Sequence, residues 1–198
     1  MLDMGGIQMK TKLPIALSNR HIHLSQKDLD ILFGEGYELT KIKDLSQPGQ
    51  YACDEKVDVV GPKGTIKGVR ILGPVRSKTQ FEISIADAFT LRVDAALRNS
   101  GDISGTPGAK VIGPKGEVEI SEGIIVAARH IHMHTSDAVE YGVVDKDVVS
   151  IKVGGERGLV FDNVLVRVAD NYALEMHVDI EEGNAAGVKN GDLVELIK

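Results

Sequence analysis

The sequence predicts a mainly β protein, on three observations. Its apolar stretches are short and dominated by β-branched residues. Glycine and proline interrupt them at short intervals. The 22 glycines supply the tight corners that small barrels need. Taken in order, the candidate strands are Val57–Val60, Val69–Leu72, Ile83–Ile85, Ile124–Val126, Val148–Val153, Val164–Val168 and Leu193–Ile197. The turns between them include Gly61-Pro62-Lys63-Gly64, Gly73-Pro74, Gly113-Pro114-Lys115-Gly116 and Gly154-Gly155. That rhythm reads as an antiparallel barrel or sandwich. Helices should be few and short. Ser25 followed by Asp28 reads as a capping box, opening a helix that Gly34 or Gly36 ends. Tryptophan is absent and aromatics are 4% of residues, so the core must be built from Val, Ile, Leu and Ala.

The chain repeats itself. Arg20-His21-Ile22-His23 recurs as Arg129-His130-Ile131-His132, and without a gap Asp28 then aligns with Asp137. A second echo joins Gly142-Val143-Val144-Asp145, before Val148–Ile151, to Gly187-Val188-Lys189-Asn190, before Leu193–Leu196. Two related β-rich halves are the simplest reading.

Bulk properties exclude several classes. At 198 residues the chain can bury a core without disulfides, and Cys53, its one cysteine, can form none within the chain. A net charge of −6 disfavours a nucleic-acid partner held through phosphates. No apolar run approaches the ~20 residues of a membrane helix. The first residues lack the features of a signal peptide. A cytoplasmic protein is the expectation.

All six histidines, His21, His23, His130, His132, His134 and His177, fall in three short strand-like segments. Residues two apart on a strand share a face. Ile22 and Ile131 should therefore face a core while the histidines converge opposite. Imidazole is the commonest metal ligand, and zinc takes histidine and carboxylate donors in small numbers. His134 extends the second motif but aligns with Ser25, which suggests a bystander or supporting role. Surface or core histidines without metal are the alternative.

A second cluster is basic. Lys56, Lys63, Lys67, Arg70, Arg76 and Lys78 face one acid, Asp58, between positions 56 and 80. Such an excess in an acidic chain suits an anion. Arg76, just after a Gly-Pro corner, offers the planar fork that phosphate prefers. The alternative is a solvated edge strand protected by lysine. Cys53 has no activating base in its neighbourhood, and neither a P-loop nor a Rossmann fingerprint is present. The Gly-Pro-Lys-Gly segments read as turns before phosphate loops.

Asn19-Arg20-His21-Ile22-His23-Leu24-Ser25, Ile71-Leu72-Gly73-Pro74-Val75-Arg76 and Ala128-Arg129-His130-Ile131-His132 resemble the signatures of the PduL-type phosphate acyltransferases. The resemblance runs from about Pro14 to the end. It implies two β-barrel domains with a few short capping helices. Residues 20–127 would form the first, and 12–19 plus 128–198 a discontinuous second, with the metal site between them. It implies two zinc ions and coenzyme A as the acyl carrier, with acyl-CoA and phosphate as the partners.

Carried over, the family pattern makes His21, His23 and Glu82 ligands of one zinc, which also meets the coenzyme A sulfur. It gives His130, His132 and His177 to the second, completed by water, and makes Arg76 the phosphate-binding catalytic residue. Coenzyme A contacts would fall on Ser18, Lys43, Arg70, Leu72, His177 and Asn184, with Phe89 against the adenine across a homodimer interface. Microcompartment members often carry a longer N-terminal extension. With about ten residues before the first strand, a free cytosolic enzyme of acetate or propionate metabolism is as well supported as microcompartment association. Propionyl-CoA or acetyl-CoA would react directly with phosphate. Two readings compete: a zinc-dependent thioester hydrolase, and a non-catalytic barrel that binds zinc or coenzyme A.

Overall fold

The computed structural model describes residues 9–197. The expectation about a short N-terminal extension rests mainly on residues 1–8, outside the described residues. In chain order the elements are β1 (Lys12–Ser18), β2 (His21–His23), α1 (Gln26–Phe33), β3 (Lys41–Asp44), β4 (Tyr51–Val60), β5 (Thr65–Gly73), β6 (Gln80–Ile83), α2 (Ile85–Leu91), β7 (Leu97–Arg98), β8 (Ala109–Ile112), β9 (Glu117–Ile120), β10 (Ile124–Ala127), β11 (His130–Met133), α3 (Thr135–Tyr141), β12 (Val148–Val153), β13 (Leu159–Val168), β14 (Glu175–Asp179), α4 (Ile180–Ala186) and β15 (Leu193–Ile197). The fold is mainly β with short helices, as the punctuated β-branched runs predict. No described helix is long and apolar enough to cross a membrane.

Two compact units divide the chain. The barrel unit combines the described residues through Leu17 with Arg129 onward. Its strands close in the order β1-β14-β11-β13-β12-β15. Leu13, Ile15, Ile131, Ile151, Val164 and Met176 fill it, all fully buried. The sheet unit, Ser18–Ala128, holds a nine-stranded sheet that curls from β7 at one end to β9 at the other without closing, with β3 added on β4. Ile22, Leu32, Ile71, Phe81, Leu91 and Ile124 lie at the heart of its core. Each such side chain contributes about 1.5–3 kcal/mol through burial.

The pairing is mixed rather than antiparallel. β2 runs parallel to β5 and antiparallel to β6, and β11 runs parallel to β13 and antiparallel to β14. Parallel neighbours need long crossovers, and the segments carrying α1 and α3 begin them. The H-x-H strands therefore lie inside their sheets with a partner on each side. This explains why His23, His130 and His132 are buried although they sit opposite the core-facing isoleucines.

The stretch read as one strand at Ile83–Ile85 is a strand end and a helix start. Ser84 accepts from the Asp87 amide at 3.2 Å, and the Asp87 carboxylate accepts from the Ser84 amide at 3.3 Å. That reciprocal cap outweighs the β preference of the two isoleucines. At α1 only half of the expected box forms. Ser25 accepts from the Asp28 amide at 3.2 Å, but its own N–H donates to Thr79 Oγ1 at 2.9 Å, and the Thr79 hydroxyl donates to Asp28. Gly34 ends the helix.

The two Gly-Pro-Lys-Gly turns serve helix ends. The Lys63 amide donates to the Leu91 carbonyl at 3.4 Å, and the Lys115 amide to the Leu32 carbonyl at 3.0 Å. These are last-turn carbonyls without partners inside α2 and α1. A Cβ on Gly113 would run into that Leu32 carbonyl, so the approach requires glycine.

Candidate functional site

Four strands feed four helices in the same way. β2 enters α1 through N-cap Ser25, β6 enters α2 through Ser84, β11 enters α3 through His134, and β14 enters α4 through Asp179. Residues two and four before each cap share one strand face. They are His23 and His21, Glu82 and Gln80, His132 and His130, and His177 and Glu175. The pairing of β2 with β6 sets His21 opposite Glu82 and His23 opposite Gln80. β11 and β14 set His130 opposite His177 and His132 opposite Glu175. Each unit thus holds a cross-strand square of four polar side chains, with directly opposed Cβ atoms about 5 Å apart.

The arginine of each repeat braces its square. Arg20 forks onto Asp87, with Nε–Oδ2 and Nη2–Oδ1 both 2.8 Å. Arg129 Nε lies 3.4 Å from Glu182 Oε1. Asp87 and Glu182 hold equivalent positions, the third residues of α2 and α4 in their capping boxes.

Three corners of each square could hold a cation. The ligand atoms of His21, His23 and Glu82 lie within 4.8 Å of one another, as do those of His130, His132 and His177. Zinc bonds of ~2.0–2.1 Å would draw such atoms to roughly 3.4 Å. In the sheet unit the tautomers are set. His21 Nδ1 lies 2.8 Å from the Asn19 carbonyl and His23 Nδ1 lies 3.1 Å from that of Leu72. A carbonyl only accepts, so each Nδ1 carries the proton and each Nε2 presents a lone pair, the usual arrangement of metal-binding histidine. Burial, with His21 and Arg76 nearby, lowers the His23 pKa to about 3, which keeps that lone pair. Burial alone would raise the Glu82 pKa, but His21, His23, the Ser100 hydroxyl and Arg76 together hold it well below the carboxylate range. The Ser100 bond and Arg76 act whatever the histidines' charge.

In the barrel unit, burial lowers the His132 pKa to about 2, with His130, His177 and Arg167 adding to the effect. Its buried Nδ1 has no hydrogen-bond partner among the described residues, a costly state that a cation would relieve. The rings of His130 and His177 stack at 5.1 Å, and Tyr172 packs 4.3 Å from His132. His134 is outside this triad. It caps α3, accepting from the Ser136 amide at 3.2 Å, the role Ser25 plays in the first copy.

Arg76 lies half-buried beyond the Gly73-Pro74 corner, where a Cβ on Gly73 would strike the Tyr51 ring. Its amide donates to the Leu24 carbonyl at 2.9 Å, which holds it beside β2. The other basic residues do not gather there. Lys63 and Lys67 sit toward the far end of the β4–β5 hairpin, and Lys78 pairs with Glu122 at 3.1 Å. Arg70 opposes His21 in register and donates to the Cys53 carbonyl. Lys43, Ala52 and Leu72 follow one row across β3, β4 and β5. Ser18 is half-buried at the end of β1, Asn184 is exposed on α4, and Phe89 is 69% exposed on α2. Cys53 is fully buried, and burial pushes its thiol up to about 11. Sequence reasoning missed Gln80, Glu175, Ser100 and Tyr172. The strand–cap–helix spacing could have revealed Gln80 and Glu175.

A family model described as phosphate propanoyltransferase matches residues 14–189. The chain is 57% identical over 185 residues to the phosphate propanoyltransferase of Thermotoga maritima, covering 93% of this chain and 88% of the relative. It is 50% identical over 192 residues to that of Clostridioides difficile, covering 97% and 92%. To that of Citrobacter freundii it is 52% identical over 179 residues, covering 90% and 85%. The matches run through both units and define an enzyme of the phosphate acyltransferase class. The chain belongs to the phosphate propanoyltransferase family.

Proposed function

We propose that this phosphotransacylase interconverts propionyl-CoA or acetyl-CoA plus phosphate with the acyl phosphate plus coenzyme A, at a di-zinc site. The observation that carries the reading is the His21–His23–Glu82 triad with Arg76 beside it in one unit. That arrangement joins a cation site to an anion-binding fork. His21, His23 and Glu82 would hold one ion, and His130, His132 and His177 the other. Zinc held there would supply Lewis acidity toward the thioester carbonyl and an acceptor for the lone pair of the departing thiolate.

Arg76 orients phosphate through two parallel N–H donors, which offsets its weak nucleophilicity by positioning. A phosphate oxygen attacks the carbonyl carbon, a C–O bond forms, and the C–S bond breaks. The proton carried by hydrogen phosphate ends on the coenzyme A thiol, so the reaction balances. No acyl-enzyme is needed, in keeping with a buried Cys53 whose thiol stays protonated. Coenzyme A contacts are assigned to Ser18, Lys43, Arg70, Leu72, His177 and Asn184. Phe89, exposed on α2, would meet the adenine across a homodimer. The reading places the enzyme in the cytoplasm, free or within a bacterial microcompartment.

Thiol release from propionyl-CoA and acetyl-CoA, with and without phosphate, tests this on protein of known zinc content. Release that requires phosphate is expected. Release without phosphate would indicate a thioester hydrolase, and no release from metallated protein a binding module.

A further inference from the structure

Behind the Glu82 carboxylate lies a hydrogen-bond network centred on Ser100, in the turn after β7. The Ser100 hydroxyl donates to Glu82 Oε1 at 2.7 Å. It accepts from Gln80 Nε2 at 3.0 Å and from Arg76 Nη1 at 3.3 Å. A hydroxyl has one proton and two lone pairs, and all three are used. The directions follow from the partners: the amide nitrogen and the guanidinium only donate, so the hydroxyl proton must point at the carboxylate. Gln80 is fixed as well. Its Oε1 accepts from the Gly101 amide at 2.7 Å, leaving Nε2 to donate to Glu82 Oε1 at 2.6 Å. Two donors thus occupy Oε1 of a buried carboxylate, and the oxygen facing His21 Nε2, at 3.6 Å, is Oε2.

We propose that Ser100 is a positioning residue that presents Glu82 Oε2 to the histidine pair and ties Arg76 to the same carboxylate. The inference rests on the phosphotransacylase reading, which gives Arg76 its phosphate and the triad its zinc. One hydroxyl then couples the residue that holds the nucleophile to the residue that holds the ion. Removing it leaves Glu82 Oε1 short of a donor and leaves Gln80 and Arg76 without their shared acceptor. Outer partners of this kind change metal affinity or activity by about 10–100-fold.

The test uses full-length wild type, Ser100→Ala and Ser100→Thr. Zinc is titrated into metal-free protein against a chromophoric chelator. The phosphate KM and kcat are measured on zinc-loaded enzyme, and circular dichroism checks the fold. Ser100→Ala should weaken one of the two zinc ions by about tenfold or more, leave the other unchanged, and raise the phosphate KM. Ser100→Thr, which keeps the hydroxyl, should restore both. Wild-type zinc affinity and phosphate KM in a folded Ser100→Ala would overturn the proposal, as would equal weakening of both ions or no recovery in Ser100→Thr. If Ser100→Ala does not fold, Ser100→Cys, similar in shape but a weak donor, carries the same prediction. A wild type that binds no zinc, or turns over without phosphate, would sink the underlying reading and the inference with it.

Discussion

In the sheet unit the residue opposite His21 is Glu82; at the same register in the barrel unit the residue opposite His130 is His177. The other corner changes in the reverse sense. Gln80 faces His23, and Glu175 faces His132. Each square therefore keeps one carboxylate but moves it from the corner opposite the first histidine to the corner opposite the second. Glu175 Oε2 instead lies 3.3 Å from His177 Nε2. The capping and the arginine brace are common to both units. The donor sets differ: two imidazoles and a carboxylate against three imidazoles. A neutral set leaves more of a dication's charge for an outside ligand, whereas a carboxylate offsets it. The two squares are related in construction and unequal in chemistry.

The largest expected effect breaks this comparison at the arginines. The sheet unit places Arg76 by its triad, while the barrel unit has Arg167, which lies over the Tyr172 ring at 5.7 Å. Arg76→Ala should lower phosphate-dependent turnover by on the order of 10³-fold with zinc content retained. Arg167→Ala should cost less. Zinc loss from Arg76→Ala would make that residue structural instead.

A smaller effect concerns pH, in which the two units should agree. The folded pKa values of His23 and His132, about 3 and about 2, lie below the unfolded value of 6.5. Between those limits the unfolded chain binds protons that the folded chain refuses. Stability of the metal-free protein is therefore full above pH 6.5 and falls as pH drops below it. The slope is up to about 1.4 kcal/mol per pH unit for each histidine. The depressed Glu82 adds loss in the same direction, beginning below its unfolded value of 4.5. Urea unfolding of chelator-treated protein from pH 8 to pH 5 measures this. A flat profile would mean that these histidines accept protons in the fold.

The smallest effect sharpens the capping equivalence. His134→Ala should cost about 0.5–2 kcal/mol by chemical denaturation, as loss of a helix cap does, and leave zinc content unchanged. Loss of an ion would instead make His134 a ligand.

Half of this construction was legible in the residues. Arg20-His21-Ile22-His23 and its copy announce β2 and β11, because identical spacing carried identical roles. The second strand of each square is not announced by residue identity, since Gln80-Phe81-Glu82 and Glu175-Met176-His177 share no residue at any matched position and only their common spacing to the caps Ser84 and Asp179 relates them. Register then sets them opposite the two H-x-H strands. The parallel pairing was missed because Gly-Pro turns report local reversals and say nothing of crossovers. Ser100 had no signal at all: a serine before glycine in a turn is ordinary until the fold brings Glu82, Gln80 and Arg76 to it.

The most direct test counts zinc per chain in wild type, His23→Ala and His132→Ala after dialysis against limiting metal. Two independently built centres predict two ions in wild type and one in each variant, with the remaining ion bound at wild-type affinity. Loss of both ions from either variant, or two retained in both, would contradict that account.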